Sequence, residues 1–176
     1  MKKILIVLVA IFSASCSDSG KDAKSATTAV LVEPAGTSIS VNFPGDPTFS
    51  TTTINVPVVG KMKMDTYKYT KGSSTFSLQI AETLDTDISG DSLFDSVPAI
   101  QRNVTKSGAE ILDETETSTL GYDTYLISSA RADGGTIYQK FVKVENQQYT
   151  LSIYYRDGQG NPSEINQFFD SLSVPE

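Results

Sequence analysis

The chain has no histidine and no tryptophan, a single cysteine at position 16, and no apolar run longer than residues 4–12. Without histidine it lacks the side chain best suited to moving protons near neutral pH. Ser-His-Asp and Cys-His nucleophilic centres are excluded, and so are the common zinc sites. One cysteine cannot close an internal disulfide. Nine apolar residues are too few for a bilayer-spanning helix, which needs about 20. Gly-x-Ser-x-Gly, Ser-x-x-Lys and phosphate-loop motifs are also missing. The expectation is a protein without a catalytic centre, although paired carboxylates leave an atypical hydrolase as a remote alternative.

What is present begins with Met1-Lys2-Lys3, a short positive segment, then Ile4-Leu5-Ile6-Val7-Leu8-Val9-Ala10-Ile11-Phe12, then Ser13-Ala14-Ser15 and Cys16. This order has the layout of an export signal. Small residues before Cys16 suit an ordinary secretory peptidase, and they also resemble the bacterial lipoprotein signal, with Ser13 where leucine is usual. The resemblance implies that the thiol of Cys16 receives a diacylglyceryl group bearing palmitate-type chains and that the chain is then cut before Cys16. Two or three chains, each buried methylene contributing about 0.8 kcal/mol, would hold the protein stably on a membrane. The expected location is the bacterial cell envelope, at the outer membrane, with either the periplasmic face or the cell surface open. Ser17-Asp18-Ser19 resembles the export signal of surface lipoproteins of Bacteroidota; a plain solvated linker is the other reading.

Fourteen Lys and Arg against 21 Asp and Glu give a net charge of −7. Subtracting Lys2 and Lys3 from the 14 leaves 12 against 21, a net of −9. Such a surface disfavours nucleic acid and anionic headgroups, so the expected contacts are a membrane through lipid and another envelope protein.

Residues 1–15 thus read as signal and 16–37 as lipidated cysteine plus flexible tether, small, polar and without aromatics. Residues 38–176 read as one α+β domain. Period-two alternation predicts strands at 38–43, 51–56, 61–69, 75–82, 110–117, 122–129, 136–145 and 148–156. In the third, Lys61, Lys63, Asp65, Tyr67 and Tyr69 share one face and Met62, Met64 and Thr66 the other. Ala132-Asp133-Gly134-Gly135 predicts a hairpin, and Asn146-Gln147 a further turn. Leu93, Val97, Ile100 and Val104 fit a helix face, with Pro98 marking a kink or a nearby start. Asn161, Pro162 and Glu164 predict a capped helix whose stripe is Ile165, Phe168, Phe169 and Leu172. Each stripe residue, if buried, contributes about 1.5–3 kcal/mol.

Val41-Asn42-Phe43-Pro44-Gly45-Asp46-Pro47 opening the domain and Gln167-Phe168-Phe169-Asp170-Ser171-Leu172 closing it are similar to the PsbP-like family, named for the extrinsic subunit P of photosystem II. The resemblance covers residues 38–174. It implies an antiparallel sheet of about six to seven strands packed by two or more helices, and a non-catalytic accessory or assembly role. It carries over no functional residue.

One stretch has metal-ligand spacing. Asp85, Asp87, Ser89 and Asp91 alternate around Gly90 as oxygen ligands of a calcium loop do. Ser96 stands where the bidentate glutamate belongs, and a strand precedes the loop. The alternative is an acidic loop whose Ser89 or Asp91 caps the next helix. Asp113, Glu114 and Glu116 read as a solvated strand face, or as a site for a cation or basic partner. The eight tyrosines, Tyr67, Tyr69, Tyr154 and Tyr155 among them, read as sheet packing or a contact patch.

Overall fold

A computed structural model of the chain describes residues 28–56, 60–85 and 91–174. Nine strands and two helices are described: β1 (Val30–Val32), β2 (Val41–Phe43), β3 (Thr48–Val56), β4 (Gly60–Lys71), β5 (Ser74–Thr83), α1 (Val97–Lys106), β6 (Glu110–Thr119), β7 (Tyr122–Ala130), β8 (Thr136–Val144), β9 (Gln147–Tyr155) and α2 (Pro162–Phe169). Seven strands form one antiparallel sheet in the order β3-β4-β5-β9-β8-β7-β6. It consists of two meanders, one on each side of the β5–β9 seam, where Phe76 faces Ile153 and Leu78 faces Leu151. β1 and β2 make a separate short ribbon.

Alternation along each strand sends side chains to opposite faces. One face carries Phe76, Leu78, Ile80, Tyr149, Leu151, Ile153 and Tyr155, all buried. The β1–β2 ribbon and α2 close over it with Val41, Phe43, Ile165, Phe168 and Phe169. Tyr67 and Tyr69 pack against the same cluster, so the tyrosine face of β4 points inward. Gly45, in the motif opening the domain, lies so close to Tyr69 that a Cβ there would meet the ring at 2.4 Å. The opposite face is covered by α1 and the turn before it, where Leu93 and Val97 meet Tyr125, Ile127 and Phe141.

Val30–Val32 falls in the stretch expected to be tether, yet it pairs with β2 and buries Val32 in the core. Three residues are too short to show a period, and only the neighbouring strand makes them regular. The chain after α2 returns to this region, where Ser40 and Ser173 exchange backbone hydrogen bonds of 2.8 and 2.9 Å.

Pro98 marks a helix start. It occupies the first turn of α1, directly after a 3-10 turn at Leu93–Ser96. That turn is capped by Ser92, whose Oγ accepts from the Phe94 N–H at 3.2 Å. Asn161 caps α2 through the Ser163 N–H, as expected. Glu164 does not close a capping box. Its carboxylate accepts from the Tyr155 hydroxyl at 2.9 Å and faces Lys71 at 3.9 Å.

The β8–β9 turn sits at Glu145-Asn146, one residue earlier than expected, because Gln147 already pairs with Val144. Glu145 adopts φ +52°, and Leu120 in the β6–β7 turn adopts φ +55°. Left-handed backbone costs a side chain with a Cβ about 1–2 kcal/mol, with asparagine among the tolerated exceptions. Leu120 is also exposed and precedes Gly121, so Leu120→Asn recreates the Asn-Gly hairpin signature. It is expected to raise stability by about 1 kcal/mol, read as a higher urea midpoint at constant m-value.

Candidate functional site

Cross-strand register assembles a polar cleft that no local spacing reveals. Lys63 of β4 lies opposite Glu82 of β5, Glu82 opposite Gln147 of β9, and Gln147 opposite Val144 of β8. One row deeper, Asp65, Ile80, Tyr149 and Val142 stand side by side. The loop of Ala35, Gly36 and Thr37 roofs this end of the sheet, tightened by the Thr37 hydroxyl donating to the Pro34 carbonyl at 2.9 Å. Two adjoining cavities of about 330 and 220 Å³ result, sharing Gly36, Thr37, Glu82 and Gln147.

The cleft holds more acceptors than donors. Lys63 Nζ donates to Asp65 Oδ2 at 2.6 Å, and Asp65 is only 15 % exposed. Burial pushes the Asp65 carboxyl up, but Lys63 and the hydroxyl of the facing Thr51 outweigh it and hold it below its usual value. Asp65 Oδ1 is buried without a hydrogen bond, alone in this among the side-chain atoms of the described residues. Buried oxygens of this kind are uncommon, and a missing partner group is one reason for them. Glu82 and Glu145 line the same space. Together with burial, which acts most strongly, they push the Tyr149 hydroxyl up to about 12. That hydroxyl donates to Gln147 Oε1.

Two of the expected calcium ligands lie among the described residues, and neither turns its carboxylate to a shared centre. Asp85 Oδ2 accepts from the Lys61 N–H at 2.9 Å, which ties the end of β5 to the start of β4. Asp91 uses its main-chain carbonyl, accepting from Lys143 Nζ at 2.6 Å. Asp87 and Ser89 lie outside the described residues, as does Cys16. Among the described residues no three Cys, Asp or Glu side chains stand close enough to share a metal ion. The cap that was expected from Ser89 or Asp91 comes from Ser92, helped by Asp123, which accepts from the Ser92 hydroxyl at 2.6 Å and the Leu93 N–H at 3.2 Å.

The acidic run divides its roles. Glu114 accepts from the Tyr125 hydroxyl at 2.6 Å and from Gln101 Nε2 at 2.8 Å, which joins β6, β7 and α1. These bonds, Tyr125 first, hold its carboxyl below the usual range. Asp113 sits at a bulge in β6. Of the tyrosines, Tyr155 is buried, while Tyr154 donates to Asp133 at 3.1 Å and lies under the Arg131 guanidinium.

Two groups escaped the sequence reading. Lys63 and Asp65 were visible as charges sharing a face, but nothing local said that face turns inward. Lys140 is buried on β8, and its ammonium donates to the Phe169 carbonyl at 3.1 Å, in the last turn of α2. Burial holds its pKa below normal while Asp170 pulls the other way. The inward positions Tyr138 and Val142 on either side were the available signal.

No family model matches the sequence, and no curated protein matches it. Among solved structures, the cyanobacterial PsbP (CyanoP) from Synechocystis sp. PCC 6803 superposes with a TM-score of 0.56 at 11% identity, covering 89% of this chain and 98% of that one. The Ran-binding protein Mog1p of Saccharomyces cerevisiae superposes with a TM-score of 0.47 at 12% identity, covering 84% and 96%. The second is too distant to carry an argument. The first shows the fold: this chain is a single α+β domain with a PsbP-like fold. Function does not follow from fold.

Proposed function

We propose that the chain is a non-catalytic accessory protein of the bacterial envelope, held by lipid on Cys16, that binds another envelope protein through the polar cleft. The observation that carries this reading is the buried, unbonded Oδ1 of Asp65 in a cleft flanked by Glu82 and Glu145. Three carboxylates face one ammonium there, and the cleft is open at the surface. A donor with positive charge completes it, and a lysine or arginine side chain on a partner is such a group. Charge-assisted hydrogen bonds to carboxylates are about twice as strong as neutral ones. In low dielectric they also select against acidic competitors.

The groove beside α2 and the groove beside α1 lack this arrangement of carboxylates. The neighbouring titratable groups, Glu114, Tyr125, Tyr155 and Lys140, are engaged in holding elements together.

Crosslinking mass spectrometry in native membranes tests the proposal, with the wild type compared to Glu82→Gln/Glu145→Gln. Both positions border the cleft rim, so the double variant keeps its core. The expected result is one recurring partner joined through a lysine- or arginine-bearing segment, recovered at least about tenfold less with the variant, as loss of 1.4 kcal/mol or more requires. Equal recovery with the variant, or no recurring partner, would contradict it.

A further inference from the structure

We infer that two copies of this chain associate through the outer edge of β3, antiparallel, to give one continuous sheet. Among the described residues, no strand pairs with the outer side of β3, which ends the seven-stranded order. Thr48, Phe49, Ser50, Thr51, Thr52, Thr53, Ile54 and Asn55 are all exposed. A free edge presents a row of unpaired N–H and C=O groups, and natural sheets guard such edges with charges, prolines, bulges or short strands.

The other edge of this sheet is guarded in that way. β6 carries Glu110, Asp113, Glu114 and Glu116 and is interrupted by a bulge between Ile111 and Asp113. β3 has none of these devices: nine residues, Thr-Phe-Ser-Thr-Thr-Thr-Ile-Asn-Val, with no charge and no proline. Two edges of one sheet, one defended and one open, mark the open one as the edge that is used.

The occupant follows from self-complementarity. An isologous contact places the same surface on both sides of a two-fold axis. All nine residues of β3 overlap with those of a second β3 only when Thr52 lies on that axis. Thr51 then faces Thr53, Ser50 faces Ile54, and Phe49 faces Asn55. Threonine pairs across strands are favourable, and like charges directly opposite are not. β3 brings no like charges together, whereas β6 against β6 would oppose several carboxylates. Phe49, which is 55 % exposed and stacks on Tyr67 with ring centroids 4.9 Å apart, adds an aromatic contact near each end of the joint strand pair.

The test uses the full chain extracted in mild detergent. At the axis, residue 52 meets its own copy with Cβ atoms about 4.5–5.5 Å apart, near enough for a disulfide after small adjustment. Mild oxidation of Thr52→Cys is expected to give a covalent dimer at about ten times the yield of Thr115→Cys on β6, which carries the same Cys16 background. Native mass spectrometry is expected to show the wild type as a dimer. Thr52→Lys, which sets two ammonium groups against each other on an exposed strand, should be a folded monomer by circular dichroism. Equal disulfide yields at 52 and 115, a monomeric wild type, or a Thr52→Lys dimer would overturn the inference.

Discussion

Replacing Phe168 by alanine is expected to cost about 3–5 kcal/mol, enough to unfold most molecules of a marginally stable domain at modest denaturant. Phe168 is 3 % exposed, and its ring meets those of Phe43 at 5.3 Å and Phe76 at 5.4 Å, both edge-on, and that of Phe169 at 6.2 Å. It therefore joins three separately folded pieces: the β1–β2 ribbon, the central strand β5, and α2. Alanine would leave a cavity with aromatic walls fixed by their own strands, which cannot collapse inward cheaply. Phe49→Ala serves as the comparison. The Phe49 ring is more than half exposed, so its loss should stay within about 1 kcal/mol. Urea titration of both variants separates the two cases, and near-equal midpoints would show that α2 is not docked as described.

The second large effect lies at alkaline pH. Burial, which acts first, raises Tyr125, Tyr149 and Tyr155, and hydrogen bonds from the hydroxyls to Glu114 and Glu164 raise Tyr125 and Tyr155 further. Tyr149 reaches about 12, against an ordinary value of 10.0. Between those two values the unfolded chain loses the tyrosine proton and the folded one keeps it. The folded state then binds more protons, and stability falls as pH rises. The contribution is fully present below pH 10 and is lost on passing 12. At about 1.4 kcal/mol per unit, Tyr149 alone removes roughly 3 kcal/mol over this range. Lys140 acts in the opposite sense below its unfolded pKa of 10.5, because its lowered folded value makes stability rise as it deprotonates. The tyrosines extend further, so net destabilisation is expected above pH 10.5. Absorbance of tyrosinate should rise in two phases, an early one from exposed tyrosines and a steep one coincident with loss of circular dichroism. A single smooth titration with the fold intact would contradict the burial of these hydroxyls.

Local alternation marks some strands of this sheet and leaves others silent. Phe76, Leu78 and Ile80, and Tyr149, Leu151, Ile153 and Tyr155, announced buried faces because alternation is local and reports burial directly. α2 was legible from Asn161 to Phe169 for the same reason, since its cap and most of its stripe are local, whereas Leu172 is buried after the helix has ended. The β5–β9 seam was not, because it joins residues about 70 positions apart and only packing chooses it. β1 was hidden by its length. The cleft required the register of four strands at once, and Asp65 becomes notable only when its face proves to be the inward one. Glu114, read as part of a solvated acidic face, owes its role to a tyrosine on the next strand and an amide on α1.

The envelope role rests on chemistry at a residue outside the described structure. Intact-mass measurement of the mature N-terminus, purified from native membranes, examines it directly. The expected product starts at Cys16 and carries the added mass of a diacylglyceryl group on its sulfur, with or without a third fatty acyl chain. A product that retains residues 1–15, or one that begins at Cys16 with a free thiol and amine, would contradict it.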